Sequence, residues 1–205
     1  MSTFFNVIWA KEVSLIVNLT PLVEKGRKKA DQYWPDETNQ ERLFDDSIKV
    51  TFLKKESENL SPSMSLLGHL WTFQITKLTA NETRLVYMLH IDTWPDHGIL
   101  HPLQLIDLCR FIDQQQQREV TNNSSSILYH CSAGIGRTGT LIAADMMWQA
   151  ANRGEFEEKM TAIYPDLPFQ ILLHLRTCRP GMIQTAPQLS SLYQFHNMLL
   201  MTQVK

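Results

Sequence analysis

The run His130-Cys131-Ser132-Ala133-Gly134-Ile135-Gly136-Arg137-Thr138-Gly139-Thr140 constrains the fold of this chain more than any other stretch. Before it, Ser126-Ile127-Leu128-Tyr129 has the β-branched and apolar character of a buried strand, and after it Leu141 to Trp148 is helix-forming. The order is strand, tight loop, helix. Gly134, Gly136 and Gly139 let the loop turn sharply and let a ligand approach its amides. The helix start adds N–H groups without intrahelical acceptors and the positive end of a dipole, so the natural guest is an anion. Cys131 stands in the same field, which favours thiolate over thiol. Arg137 offers a planar fork of donors that can take two oxygens of a phosphoryl group. Thr138 reads on its own as a helix N-cap. Cys109 and Cys178 lack these surroundings and read as small buried core residues.

Around this run the sequence predicts a short helix from Phe4 to Ala10, then strands near Leu15–Leu19, Ile48–Leu53, His69–Leu78 and Leu85–Ile91. A helix at Leu103–Gln117 follows, and the second half is mostly helical. Gln114 to Gln117 and Thr121 to Ser126 read as a helix end and a loop. The expected fold class is therefore α/β: a twisted mixed sheet flanked by helices on both sides, with the anion loop at the carboxyl end of a central strand. The 205 residues suit one domain over 1–205. With 19 basic and 21 acidic residues and a formal net charge of −2, nothing favours nucleic acid as a partner. Three cysteines without paired spacing point to a reducing compartment. No apolar run reaches the roughly 18 residues of a membrane span, and the N-terminus lacks the order of a secretory signal.

Cleaving a phosphoester also needs a proton for the leaving group, and a carboxylic acid on a mobile loop can supply it. Two identical tripeptides compete, Trp34-Pro35-Asp36 and Trp94-Pro95-Asp96. The flanks decide between them. Asp96 follows the strand-like run Arg84 to Ile91 and has Gly98 as a hinge just after it. Asp166, after Tyr164-Pro165, reads as a helix-entry residue. Arg176 to Gln188 reads as a helix end, a Pro-Gly turn and a new helix start. Arg27, Lys28 and Lys29 read as a solvated basic turn.

His-Cys, five residues, then Arg-Thr resembles the signature of the protein tyrosine phosphatases, and Cys-Ser-Ala-Gly-Ile-Gly-Arg is similar to that of their phosphotyrosine-specific branch. The resemblance implies a cysteine-dependent phosphatase fold and hydrolysis of protein phosphotyrosine through a cysteinyl-phosphate, with no metal and no organic cofactor. It implies that Cys131 attacks phosphorus and that Ser132, Ala133, Gly134, Ile135, Gly136 and Arg137 hold the phosphoryl oxygens. His130 supports the thiolate from behind, and Thr138 aids breakdown of the intermediate. Thr93 to Gly98 resembles the family's acid loop, which makes Asp96 the general acid. The segment ending in Ile183-Gln184-Thr185-Ala186-Pro187-Gln188 resembles its glutamine loop: Gln184 positions the hydrolytic water, Gln188 lies close by, and Arg176 and Arg179 sit in the preceding helix behind the site. Val17 to Pro35 resembles a further family segment, in which Glu24 orients Arg137 and Lys29 meets the closing acid loop.

The resemblance runs from about Phe4 to Leu200, and against the family pattern the chain reads as short at its N-terminus, without the loop whose tyrosine stacks on the substrate ring. The expectations that follow are an apolar face for a protein partner to cover, and weak preference for phosphotyrosine peptides over a generic aryl phosphate. A phosphotyrosine-binding pseudophosphatase with little turnover is the alternative function. The expected partner is a phosphotyrosine-containing protein and the expected location the cytoplasm, whether the chain's own or that of a cell into which it is delivered.

Overall fold

A computed structural model describes residues 2–44, 46–56, 61–119, 126–153 and 166–203. Among them the strands are β1 (Val13–Asn18), β2 (Val23–Glu24), β3 (Arg27–Lys28), β4 (Glu41–Phe44), β5 (Ile48–Glu56), β6 (Gly68–Lys77), β7 (Glu82–Ile91) and β8 (Ser126–His130). The helices are α1 (Ser2–Ala10), α2 (Pro62–Ser65), α3 (Pro102–Glu119), α4 (Gly136–Asn152), α5 (Leu167–Cys178) and α6 (Ala186–Gln203). The chain divides into two compact units, Met1–Thr93 with Gln114–Ser132, and Trp94–Asp113 with Ala133–Lys205.

The first unit is built on a mixed six-stranded sheet in the order β4-β5-β6-β7-β1-β8. Alternation makes β5 a sheet member: Ile48, Val50 and Phe52 point into the core while Lys49, Thr51 and Leu53 are only half covered. β6 and β7 form an antiparallel pair from Gly68↔Ile91 to Lys77↔Glu82, and β1 runs parallel to both β7 and β8. Gly68 is obligatory there, because a Cβ would fall 2.0 Å from the carbonyl oxygen of His90. α1 lays Phe5, Ile8 and Trp9 onto this sheet in one apolar cluster with Val13, Ile16, Trp34, Phe52, Trp71 and Phe73.

One expectation changes here. β8 is not central: among the described residues it pairs with β1 alone and ends the sheet. Its residues are all half-buried, which fits a strand with one neighbour better than one enclosed on both sides. Gln114 to Gln117 lie within α3, which continues to Glu119, while Thr121 to Ser125 of the expected loop fall outside the described residues.

The second unit is helical. α4 packs against α5 and α6, burying Leu141, Ala144 and Met147 of α4, Ile171, Leu172 and Leu175 of α5, and Leu192, Phe195 and Leu199 of α6. Asp166 caps α5 by accepting from the Phe169 N–H at 3.2 Å, as a helix-entry residue should. Tyr164 and Pro165 before it are outside the described residues. No helix among the described residues is long and apolar enough to cross a membrane.

Candidate active site

Within the helical unit, the anion loop is held by backbone rather than by side-chain caps. α4 starts at Gly136 with Ile135 as its N-cap, and no side chain caps it. The first-turn N–H groups therefore have no intrahelical acceptor, which leaves them available to a ligand. The Ile135 carbonyl accepts from both the Gly139 and the Ile183 N–H, each at 3.1 Å. A Cβ at position 139 would stand 2.6 Å from the Ile183 nitrogen, so only glycine lets the two segments meet. Arg179 donates to the Ala133 carbonyl at 3.0 Å, beside Gly134, whose φ of 69° is the left-handed region that glycine adopts freely.

Arg137 is the second helical residue of α4 and only 2% exposed. Its guanidinium donates to the Trp94 carbonyl at 2.8 Å and reaches Asp96 Oδ1 at 3.4 Å. The Trp94 ring is fully buried, and its indole N–H closes the loop by donating to the Gly98 carbonyl at 3.1 Å. The acid is thus carried on a five-residue turn pinned by its own tryptophan, with its carboxylate half-buried against a cation.

Gln184 and Gln188 line the same loop: a Cβ built on Gly136 would lie 3.0 Å from Gln184 Oε1 and 3.3 Å from Gln188 Nε2. Gln188 is also half of a capping box. Thr185 accepts the Gln188 N–H at 3.3 Å, while Gln188 Oε1 accepts the N–H groups of Gln184 and Thr185 at 3.0 and 3.2 Å. Its remaining amide donates to the Gly98 carbonyl at 3.3 Å, tying the acid loop to the glutamine segment.

Within the sheet unit, β8 delivers Cys131, which is buried. Preceding it, His130 places Nε2 2.7 Å from the Tyr33 hydroxyl and Nδ1 3.4 Å from the Cys131 carbonyl. Burial pushes the His130 imidazole down to about 4 and the Tyr33 phenol strongly up, so both are neutral at physiological pH. A carbonyl can only accept, so Nδ1 carries the imidazole proton and Nε2 accepts from the Tyr33 hydroxyl, which also lies 3.3 Å from Met88 Sδ. Ser132 donates from Oγ to the Lys29 carbonyl at 2.8 Å, which ties the residue after Cys131 to the β3 end. Glu24 and Lys29 are half-buried in this unit. Among the described residues, no group of three or more His, Cys, Asp or Glu is arranged to hold a metal ion.

The sequence model of the family described as protein-tyrosine phosphatase matches residues 1–198, through both units. The chain belongs to the protein-tyrosine phosphatase family. It is 32% identical over 189 residues to the receptor-type tyrosine-protein phosphatase eta of Mus musculus, covering 92% of this chain and 14% of that protein. It is 32% identical over 186 residues to tyrosine-protein phosphatase 2 of Dictyostelium discoideum (90% of this chain, 45% of that protein), and 31% identical over 192 residues to tyrosine-protein phosphatase 99A of Drosophila melanogaster (90% and 13%). The chain thus spans less than half the length of each of these relatives.

Three details of this phosphatase-family site depart from the sequence reading. Thr138 is not an N-cap: it is the third residue inside α4, because the helix is capped at Ile135, three residues earlier than a hydroxyl-based boundary would place it. Arg179 lies one residue beyond α5 in extended conformation, which is what turns its side chain onto the Ala133 carbonyl. Cys178 is exposed, because the last turn of α5 leaves His174, Thr177 and Cys178 on its open side. The sequence reading also missed Tyr33 as a partner of His130, 97 positions away and without local signal. The Thr185-x-x-Gln188 capping box was legible as a pattern and went unread.

Proposed function

We propose that this chain hydrolyses protein phosphotyrosine through a cysteinyl-phosphate, its two units acting as one catalytic domain. The observation that carries this reading is Arg137: a buried guanidinium at a helix start, with the Asp96 carboxylate 3.4 Å away. A cation kept out of water, beside amides that point outward, needs an anionic guest with several oxygens. The Cys131 thiolate attacks phosphorus, forming an S–P bond as the P–O bond to the phenol breaks, and protonated Asp96 gives its proton to the leaving oxygen. Water held by Gln184 then attacks phosphorus. The S–P bond breaks, Asp96 takes the water's proton, and inorganic phosphate leaves. Backbone N–H groups of Ser132 to Gly136, with Arg137, stabilise the charge on the equatorial oxygens. His130, Thr138, Glu24, Lys29 and Gln188 act as supports. The three free cysteines suit the cytosol, where a thiol nucleophile stays reduced.

The test is steady-state turnover of p-nitrophenyl phosphate, a phosphotyrosine peptide and its phosphoserine counterpart, with Cys131→Ser as control. Turnover of the first two that is lost in Cys131→Ser supports the reading. Retained turnover in that variant, or equal rates on the phosphoserine peptide, overturns it.

A further inference from the structure

The basic turn read from the sequence as solvated has a definite structure. β2 and β3 pair antiparallel through Val23↔Lys28 and Glu24↔Arg27. Lys25 and Gly26 between them have φ of 50° and 73°, so the connection is a two-residue turn with both central residues left-handed, the type that matches the twist of paired strands. Nothing lies within 4 Å of a Cβ built on Gly26, so the tip stands in open space. Lys25, Arg27 and Lys28 are exposed. Lys28 is partly neutralised by an ion pair with Asp31, whereas no ion pair engages Lys25 or Arg27 among the described residues.

The base of the hairpin is fixed beside the nucleophile. Lys29 donates its N–H to the Leu22 carbonyl at 2.8 Å and accepts the Ser132 hydroxyl at 2.8 Å. Arg27 lies two positions before Lys29, and Ser132 adjoins Cys131. The Arg27 and Cys131 Cα atoms are therefore at most roughly 18 Å apart, the span of about five residues of extended peptide. Segment 24–31 carries four basic and two acidic residues in a chain whose formal net charge is −2. Positive charge is thus concentrated on a hairpin whose base is tied to the residue after Cys131.

We propose that the β2–β3 hairpin is a specificity element that selects tyrosine-phosphorylated segments carrying Asp or Glu within about five residues of the phosphotyrosine. The proposal rests on the phosphatase reading above. Exposed charges act mainly on encounter rate and are screened by salt, so the effect appears in kcat/KM and fades at high ionic strength. At low salt, kcat/KM for a peptide with acidic flanks exceeds that for the same peptide with Ser and Gln flanks by about 3–10-fold. The double variant Lys25→Glu, Arg27→Glu, which changes only exposed side chains, removes or inverts this preference. Its turnover of p-nitrophenyl phosphate, which has no flanks, stays at the parent level.

An unchanged acidic preference in the double variant overturns the proposal, as does equal kcat/KM for the two peptides in the parent. Should the parent turn over no aryl phosphate, the phosphatase reading fails separately. Fluorescence anisotropy of the same two labelled peptides then decides the hairpin's role, and equal affinities overturn it.

Discussion

The chain contains Trp-Pro-Asp twice, and the two copies are put to different uses. Both tryptophans are anchors, Trp34 at 3% and Trp94 at 0% exposure. Trp34 packs edge-on to Tyr33, Trp71 and His90, and its indole N–H has no hydrogen-bond partner among the described residues. Trp94 spends its N–H on closing its own loop at the Gly98 carbonyl. Asp36 is exposed, its backbone N–H bonded to Gln40 at 3.0 Å, while Asp96 meets a buried guanidinium. An identical tripeptide thus becomes a core wedge in one place and an acid carrier in the other. What separates them is not the motif but the glycine two residues after the acid and the cation beneath it.

The largest expected break in this comparison is at the acids themselves. Asp96→Ala should lower kcat on a phosphotyrosine peptide by about 10²–10⁴-fold, the usual loss for a general acid, and by less on an ester with a good leaving group. Asp36→Ala should leave kcat near the parent value. Stopped-flow or steady-state rates for both variants decide the matter, and equal losses would reverse the assignment. At the tryptophans, Trp34→Ala should cost about 3–5 kcal/mol of stability in urea unfolding, as for a large aromatic removed from a packed core, while the folded fraction keeps its kcat.

The smallest effect is one of titration. Beside the first copy, His130 is neutral with its pKa pushed down to about 4 from 6.5. The unfolded chain therefore takes up a proton that the folded chain refuses between those values. Stability falls by roughly 3 kcal/mol as pH drops from about 6.5 to about 4, and flattens below. His90, also pushed down by burial, adds in the same direction. Urea midpoints across that range should show the slope, and it should shrink in His130→Gln.

Local signals carried most of the architecture. α3 was expected at Leu103–Gln117 and spans Pro102–Glu119, and β5 and β6 fall within a few residues of their expected places, because long periodic segments announce themselves. β4 escaped notice because three of its four residues are exposed and it reads as polar loop. β2 and β3 are too short for any period to register. In the site, Cys131, Arg137 and Gly139 were legible because loop chemistry is contiguous. Tyr33 behind His130, the Gln188 link to Gly98 and the turn of Arg179 onto Ala133 are tertiary facts. They depend on which strand lies beside which, and on where a helix stops, to within one residue.

The position of β8 at the margin of the sheet has a consequence for how this molecule fails. β5, β6, β7 and β1 each have a neighbour on either side, whereas β8 is held from β1 alone among the described residues. Segments with fewer backbone partners open at lower free energy than the body of a domain and exchange their amides sooner. Cys131, the proposed nucleophile, therefore follows one of the sheet's two edge strands, β4 being the other. If the proposed chemistry holds, fraying of β8 under mild denaturing stress would displace Cys131 while β5, β6, β7 and β1 stay paired, so loss of turnover should precede loss of the sheet signal.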